Sequence, residues 1–178
     1  MRILFISLLV FAFSYALRAQ DERIAGIDRY EKELLGLIQK AEGKNAADAP
    51  YCTEVRVNAH RKSSSAGTYY KTIRFWYSGI PDPESEQALQ PLQMVETETH
   101  FAGGKTGRMR FVFREGSLAL IVAGEGGPEE ERWYFDDYSF FTYMNNKQEK
   151  DPELASMYHE GLVNQSQDLT SLFINSFR

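Results

Sequence analysis

Between residues 51 and 144, apolar and polar side chains alternate in seven short runs, each ended by turn-forming residues. A chain written this way buries its apolar positions most readily as a pleated sheet. In the first run Tyr51, Thr53, Val55, Val57 and Ala59 alternate with Cys52, Glu54, Arg56, Asn58 and His60. Six more runs follow at 69–77, 92–101, 108–114, 117–123, 131–136 and 139–144. The breaks between them are turn chemistry: SSSAG (63–67), SGIPDPES (78–85), GGKTG (103–107), Glu115-Gly116, GEGGP (124–128) and the acidic pair Asp136-Asp137. Most of these connections are too short for crossovers, so neighbouring strands are expected to pair antiparallel in chain order. Residues 110–118 and 132–140 read alike, as two hairpins with one wet face.

The period changes to helical outside this block. Ile24, Ile27, Tyr30, Leu34, Leu37, Ile38 and Ala41 recur every three or four residues and predict a helix over about 21–42. A second helix is predicted from Asp151 as N-cap and Pro152 at the first helical position. Its apolar stripe runs through Leu154, Met157, Tyr158, Gly161 and Leu162, and resumes at Leu169, Leu172, Phe173 and Phe177, with a break expected near Asn164. The expected fold is therefore α+β. It consists of a single antiparallel meander sheet of about seven strands, with the N-terminal and C-terminal helices packed on one face.

Ahead of the first helix, Arg2 precedes a run of fifteen largely apolar residues (3–17), the length of a signal-peptide h-region. The run is shorter than the roughly 20 residues that span a bilayer core. Cleavage after Ala19 or Ala16 fits the small residues there, giving a signal peptide at 1–19 and a single domain at 20–178. No cysteine near the cut could carry a lipoprotein anchor. The expectation is an exported protein, periplasmic or extracellular, with no stable membrane insertion once the signal is removed. Losing Arg2 and Arg18 takes the net charge from −5 to −7. That balance argues against nucleic acid or anionic membranes as partners, since both demand clustered cations. Cys52 is the only cysteine, so no internal disulfide forms, and a buried thiol is the favoured reading over pairing between chains.

Sorting the strands by face brings one chemical pattern forward. Arg74 and Trp76 share a side of the second strand, Glu96, Glu98 and His100 share a side of the third, and Arg108 and Arg110 share a side of the fourth. Consecutive pairing lays a glutamate row between arginines. As ion pairs on a solvated face, each contact would contribute about 0.2–1 kcal/mol and help fix register. As a binding surface, the arginines would grip a polar group and Trp76 would serve as an aromatic platform.

Catalytic signatures are sparse. GGKTG is not a phosphate-binding P-loop, because residue 99 is threonine where the first glycine belongs and a strand follows. There is no G-x-S-x-G elbow. No cofactor is indicated and no metal site is assigned. Glu98 and His100, two apart, could share an ion, but Glu96 lies four from His100, about 13 Å along the strand. A site would need a neighbour such as His60, so Glu98, His100 and His60 are only weak metal candidates. Trp76, Trp133, Tyr138 and Tyr143 are the aromatics whose exposure would indicate carbohydrate or peptide binding. Asn164-Gln165-Ser166 matches a glycosylation sequon.

The signal ending in Ala-Gln, the acidic mature chain and the Arg-aromatic-x-Phe-Asp-Asp hairpin together resemble small exported proteins of Bacteroidota-type bacteria. That resemblance carries over no functional residue. The leading expectation is a non-catalytic exported domain that binds a partner protein or small ligand on its sheet face or in the sheet–helix groove. Two other classes are an exported hydrolase using Glu96, Glu98 and His100 with help from Arg110, and an inhibitor or immunity-type protein whose sheet is the interface.

Overall fold

The computed structural model describes residues 2–43, 49–58, 70–101, 104–124, 129–145, 148–149 and 152–178, with the backbone alone for 2–19, 42–43, 148–149 and 152–157. His60, Asp151 and the SSSAG turn lie outside the described residues. The sheet is a meander in chain order. Its strands are β1 (Tyr51–Val57), β2 (Tyr70–Tyr77), β3 (Leu92–His100), β4 (Thr106–Arg114), β5 (Ser117–Ala123), β6 (Glu131–Asp136), β7 (Ser139–Asn145) and a two-residue β8 (Gln148–Glu149). Every neighbouring pair is antiparallel. Two of the tight hairpins turn through residues in left-handed conformation, Glu115-Gly116 (φ 55° and 86°) and Asp137-Tyr138 (φ 49° and 65°). This is the turn geometry whose twist matches that of the strands it joins.

Helix α1 (Arg2–Gly43) and helix α2 (Pro152–Asn175) flank the sheet in sequence. α1 begins well before the amphipathic segment at 21–42, because residues 3–17 contain neither glycine nor proline and continue the same helix. α2 is unbroken at residues 164–167. Of those four polar residues only Ser166 is buried, and its hydroxyl donates to the Val163 carbonyl of its own helix (2.8 Å), so no buried polar group disrupts the helix. Among the described residues no helix is long and apolar enough to cross a membrane.

The two helices do not share a face, and here the structure corrects the sequence reading. Ile73, Phe75, Phe111, Phe113, Ile121 and Phe135 form one core with Leu169 and Phe173 of α2. Trp76, Met94, Val112, Leu120, Val122 and Tyr134 form another with Ile27, Leu34 and Ile38 of α1. In β4 and β5, Phe111–Phe113 and Leu118–Val122 are buried without alternation, so the central strands carry two apolar faces and need two covers.

Candidate functional site

The α1 face is where the charged residues collect. At one level across the sheet the register runs Glu54, Arg74, Glu96, Arg110, Val122 and Arg132. Charge alternates along this row except at Val122, which separates two arginines. Glu31 of α1 supplies the missing carboxylate. Its Oε1 accepts from Arg110 Nη1 at 2.5 Å, and its Oε2 accepts from Arg132 Nη2. Asp28, one helical turn earlier, accepts from Arg132 Nη2 (2.8 Å) and from the Tyr134 hydroxyl (2.9 Å). Burial works to lower the Arg132 pKa, but Glu31 and the Tyr134 hydroxyl outweigh it and hold the guanidinium firmly charged. Burial pushes the Tyr134 hydroxyl well above its ordinary range. This is a largely desolvated ion network that fixes the helix to the sheet.

Away from that network the same face opens. A cavity of about 200 Å³ is lined by Thr72, Arg74, Glu96, Glu98, Arg108 and Arg110, together with Thr97 and Met109. The pairing expected from alternation holds here: Arg74 lies opposite Glu96, which lies opposite Arg110, and Glu98 lies opposite Arg108. Arg74 Nε donates to Glu54 Oε2 (3.0 Å), and Arg56 Nε donates to the other oxygen (2.5 Å). The two guanidiniums, Arg74 first, hold the Glu54 carboxyl below its usual range, and Glu54 in turn raises Arg74. Arg108 donates to Glu98 Oε1 through Nη2 (3.1 Å) and Nε (3.4 Å).

Two of the six candidate residues play a different part from the one expected. Trp76 is 5% exposed and forms no surface platform. Its indole Nε1 instead donates to Glu96 Oε2 at 3.0 Å and orients that carboxylate toward the cavity. Arg110 is 4% exposed and committed to Glu31, with Glu96 at 3.9 Å, so it forms the floor rather than a gripping arm. The reachable groups are Arg74, Glu96, Glu98 and Arg108. Their side chains are 42%, 29%, 29% and 63% exposed. Trp133 and Tyr143 are also buried and Tyr138 is partly so, because they pack into the α2-side core. The aromatic that does reach solvent beside the cavity is Tyr70, stacked on His100 with ring centroids 4.2 Å apart and planes 13° apart. Alternation from Arg74 and Trp76 already puts Tyr70 on their side of the strand, a signal present in the sequence but not carried back to the strand's start.

His100 Nε2 lies 3.4 Å from Glu98 Oε1, and its Nδ1 lies 3.3 Å from the Thr106 hydroxyl. Among the described residues no group of three potential ligands is placed to hold a metal ion. Cys52 is exposed on β1, opposite Trp76, and not buried as expected; among the described residues β1 is an edge strand of the sheet. A second cavity, of about 400 Å³, lies between the start of the amphipathic part of α1 and the tips of two hairpins, over a floor that includes Ile27, Leu118, Phe135 and Phe141. Part of its charged rim is closed on itself: Arg23 pairs with Asp136, and Ser117 donates to Asp137 (2.7 Å). Compared with protein-family models, curated proteins and solved structures, the chain matches none.

Proposed function

We propose that this is an exported, non-catalytic binding domain whose ligand or partner docks on the α1 face over β2, β3 and β4. One observation carries the reading. Arg74, Glu96, Glu98 and Arg108 converge on a single solvent-open cavity beside a helix that has already taken up Arg110 and Arg132. Charges that served only to fix register would not need a concave site, and a small ligand binds where a few polar groups converge in a cleft. Export rests on the apolar run at 3–17 and on the small residues Ala16, near its end, and Ala19, just after it. Cleavage at either alanine keeps Ile24, Ile27, Asp28, Glu31, Leu34 and Ile38, described α1 side chains of the core and the ion network.

The chain contains two tryptophans, and they sit in the two different cores. Their indole N–H signals in a ¹H–¹⁵N spectrum therefore report the two faces separately. Small-molecule and protein fractions of the periplasm or medium, added to labelled protein, are expected to shift the Trp76 signal and leave Trp133 in place. Fractions that move neither signal, at any concentration tested, would remove the binding reading.

A second reading draws on the linked Glu98, His100 and Thr106, in which a carboxylate orients an imidazole whose other nitrogen faces a hydroxyl. It predicts hydrolysis of an activated ester that is lost in His100→Ala. Activity equal to the buffer blank discards it.

A further inference from the structure

We infer that the ligand of this cavity is a neutral carbohydrate ring, a step that rests on the binding reading above. Arg74 spends its Nε on Glu54, and Arg108 spends its Nε and Nη2 on Glu98 Oε1. Among the described residues, both terminal nitrogens of Arg74, Nη1 of Arg108, Oε2 of Glu98 and the Thr72 hydroxyl take part in no further hydrogen bond. The open groups are thus donors on two opposing walls, an acceptor between them and a hydroxyl that can do either.

Charge then narrows the class. An anion drawn to Arg74 and Arg108 meets Glu96 and Glu98 lying between them on β3. A cation drawn to those glutamates meets the arginines on both sides. The surrounding charges are matched in pairs, so the cavity combines little net charge with dense hydrogen-bonding capacity. A polyhydroxylated neutral ligand answers that combination, because each hydroxyl can accept from a guanidinium and donate to a carboxylate.

Shape and aromatic content agree. A volume of about 200 Å³ suits one sugar ring rather than an extended peptide. Two residues before the cavity's Thr72, on the same side of β2, Tyr70 is 48% exposed and stacks flat on His100, which is itself tied to Glu98. A rigid aromatic face beside planar hydrogen-bonding groups offers packing for the C–H side of a pyranose while its hydroxyls turn into the cavity.

The test titrates labelled protein with the methyl glycosides of glucose, galactose, mannose and N-acetylglucosamine. Galacturonate serves as an anionic probe and glycylglycine as a zwitterionic one. At least one neutral glycoside is expected to shift the Trp76 indole signal saturably without moving Trp133. Arg108→Ala and Tyr70→Ala are both at exposed positions. The first should weaken that binding by about tenfold or more, the scale of a lost charge-assisted hydrogen bond, and the second by roughly threefold to tenfold, the scale of a lost ring contact. Silence from all four neutral glycosides overturns the inference, as does binding that both variants leave unchanged. Binding of galacturonate alone overturns the neutral class and binding of glycylglycine alone overturns the sugar class, and either keeps the binding site. Silence to these probes together with silence to the cellular fractions takes down both.

Discussion

The two faces of this sheet solve the same packing problem with different chemistry. Against α2 the sheet presents Phe75, Phe111, Phe113 and Phe135 to Phe173, a dry aromatic layer in which Phe75, Tyr77, Phe173 and Phe177 contact one another at ring separations of 5.2–5.6 Å. Against α1 it presents an apolar patch bounded by a row of alternating charges that the helix completes with Glu31. The α2 face supplies stability through area removed from water. The α1 face adds buried ion pairs, which specify a geometry more than they add stability, and it leaves a polar cavity next to them. A protein that needed only a fold could have used the first chemistry twice.

That contrast can be broken from either side, and the largest effect belongs to the aromatic face. Phe173→Ala opens a cavity in a fully buried position and is expected to cost about 3–5 kcal/mol in urea unfolding, while ligand binding on the other face survives at low denaturant. Glu31→Ala leaves two guanidiniums in the interface without their shared carboxylate. About 3 kcal/mol of destabilisation is expected, and hydrogen exchange should be faster in α1 than in α2. Trp76→Phe keeps the apolar bulk but removes the donor to Glu96. It should cost about 1 kcal/mol and weaken binding at the cavity, which separates the orienting role of the indole from its packing.

Alkali touches both faces. Burial, with the Glu131 carboxylate, pushes the Tyr143 hydroxyl up to about 12, and burial also raises Tyr30 and Tyr134. A hydroxyl that holds its proton more tightly when folded contributes stability that is complete below pH 10, the unfolded value, and is lost as pH rises toward the folded one. Unfolding free energy measured from pH 9 to 12 should therefore fall above pH 10. Tyrosinate absorbance should show a late-titrating group that moves earlier in urea. The smallest expected effect on stability is that of Arg108→Ala. This exposed pair should change unfolding by no more than about 0.5 kcal/mol.

Most of the sheet could be read from the sequence because alternation and turn residues are local signals. β5 and β6 begin and end where their apolar runs and flanking turns indicate, and the facing of Glu98 with Arg108 follows from counting along hairpins. The placement of α1 was harder, since it depends on how many faces of the sheet are apolar. The one clue was the unbroken run Leu118–Val122, which alternation-based reading treats as an ordinary half-buried strand. The misassigned roles have the same origin. Nothing within a strand's own sequence says that Glu31, 79 residues earlier in the chain than Arg110, will occupy that arginine. Nor does it reveal that covering by α1 will bury Trp76. Pair chemistry was visible along the chain, whereas exposure is a property of the assembled layers.

The central claim is that the arginine–glutamate cavity on the α1 face binds something and does more than set strand register. The most direct measurement follows both indole signals during ligand titration of wild type and Arg108→Ala, beside urea unfolding of the same two proteins. The account predicts that Trp76 moves and Trp133 does not, that the variant loses this response, and that the unfolding midpoints coincide. A variant that unfolds earlier while responding to ligand as the wild type does would contradict it, and would reduce the charged row to a device for pairing strands.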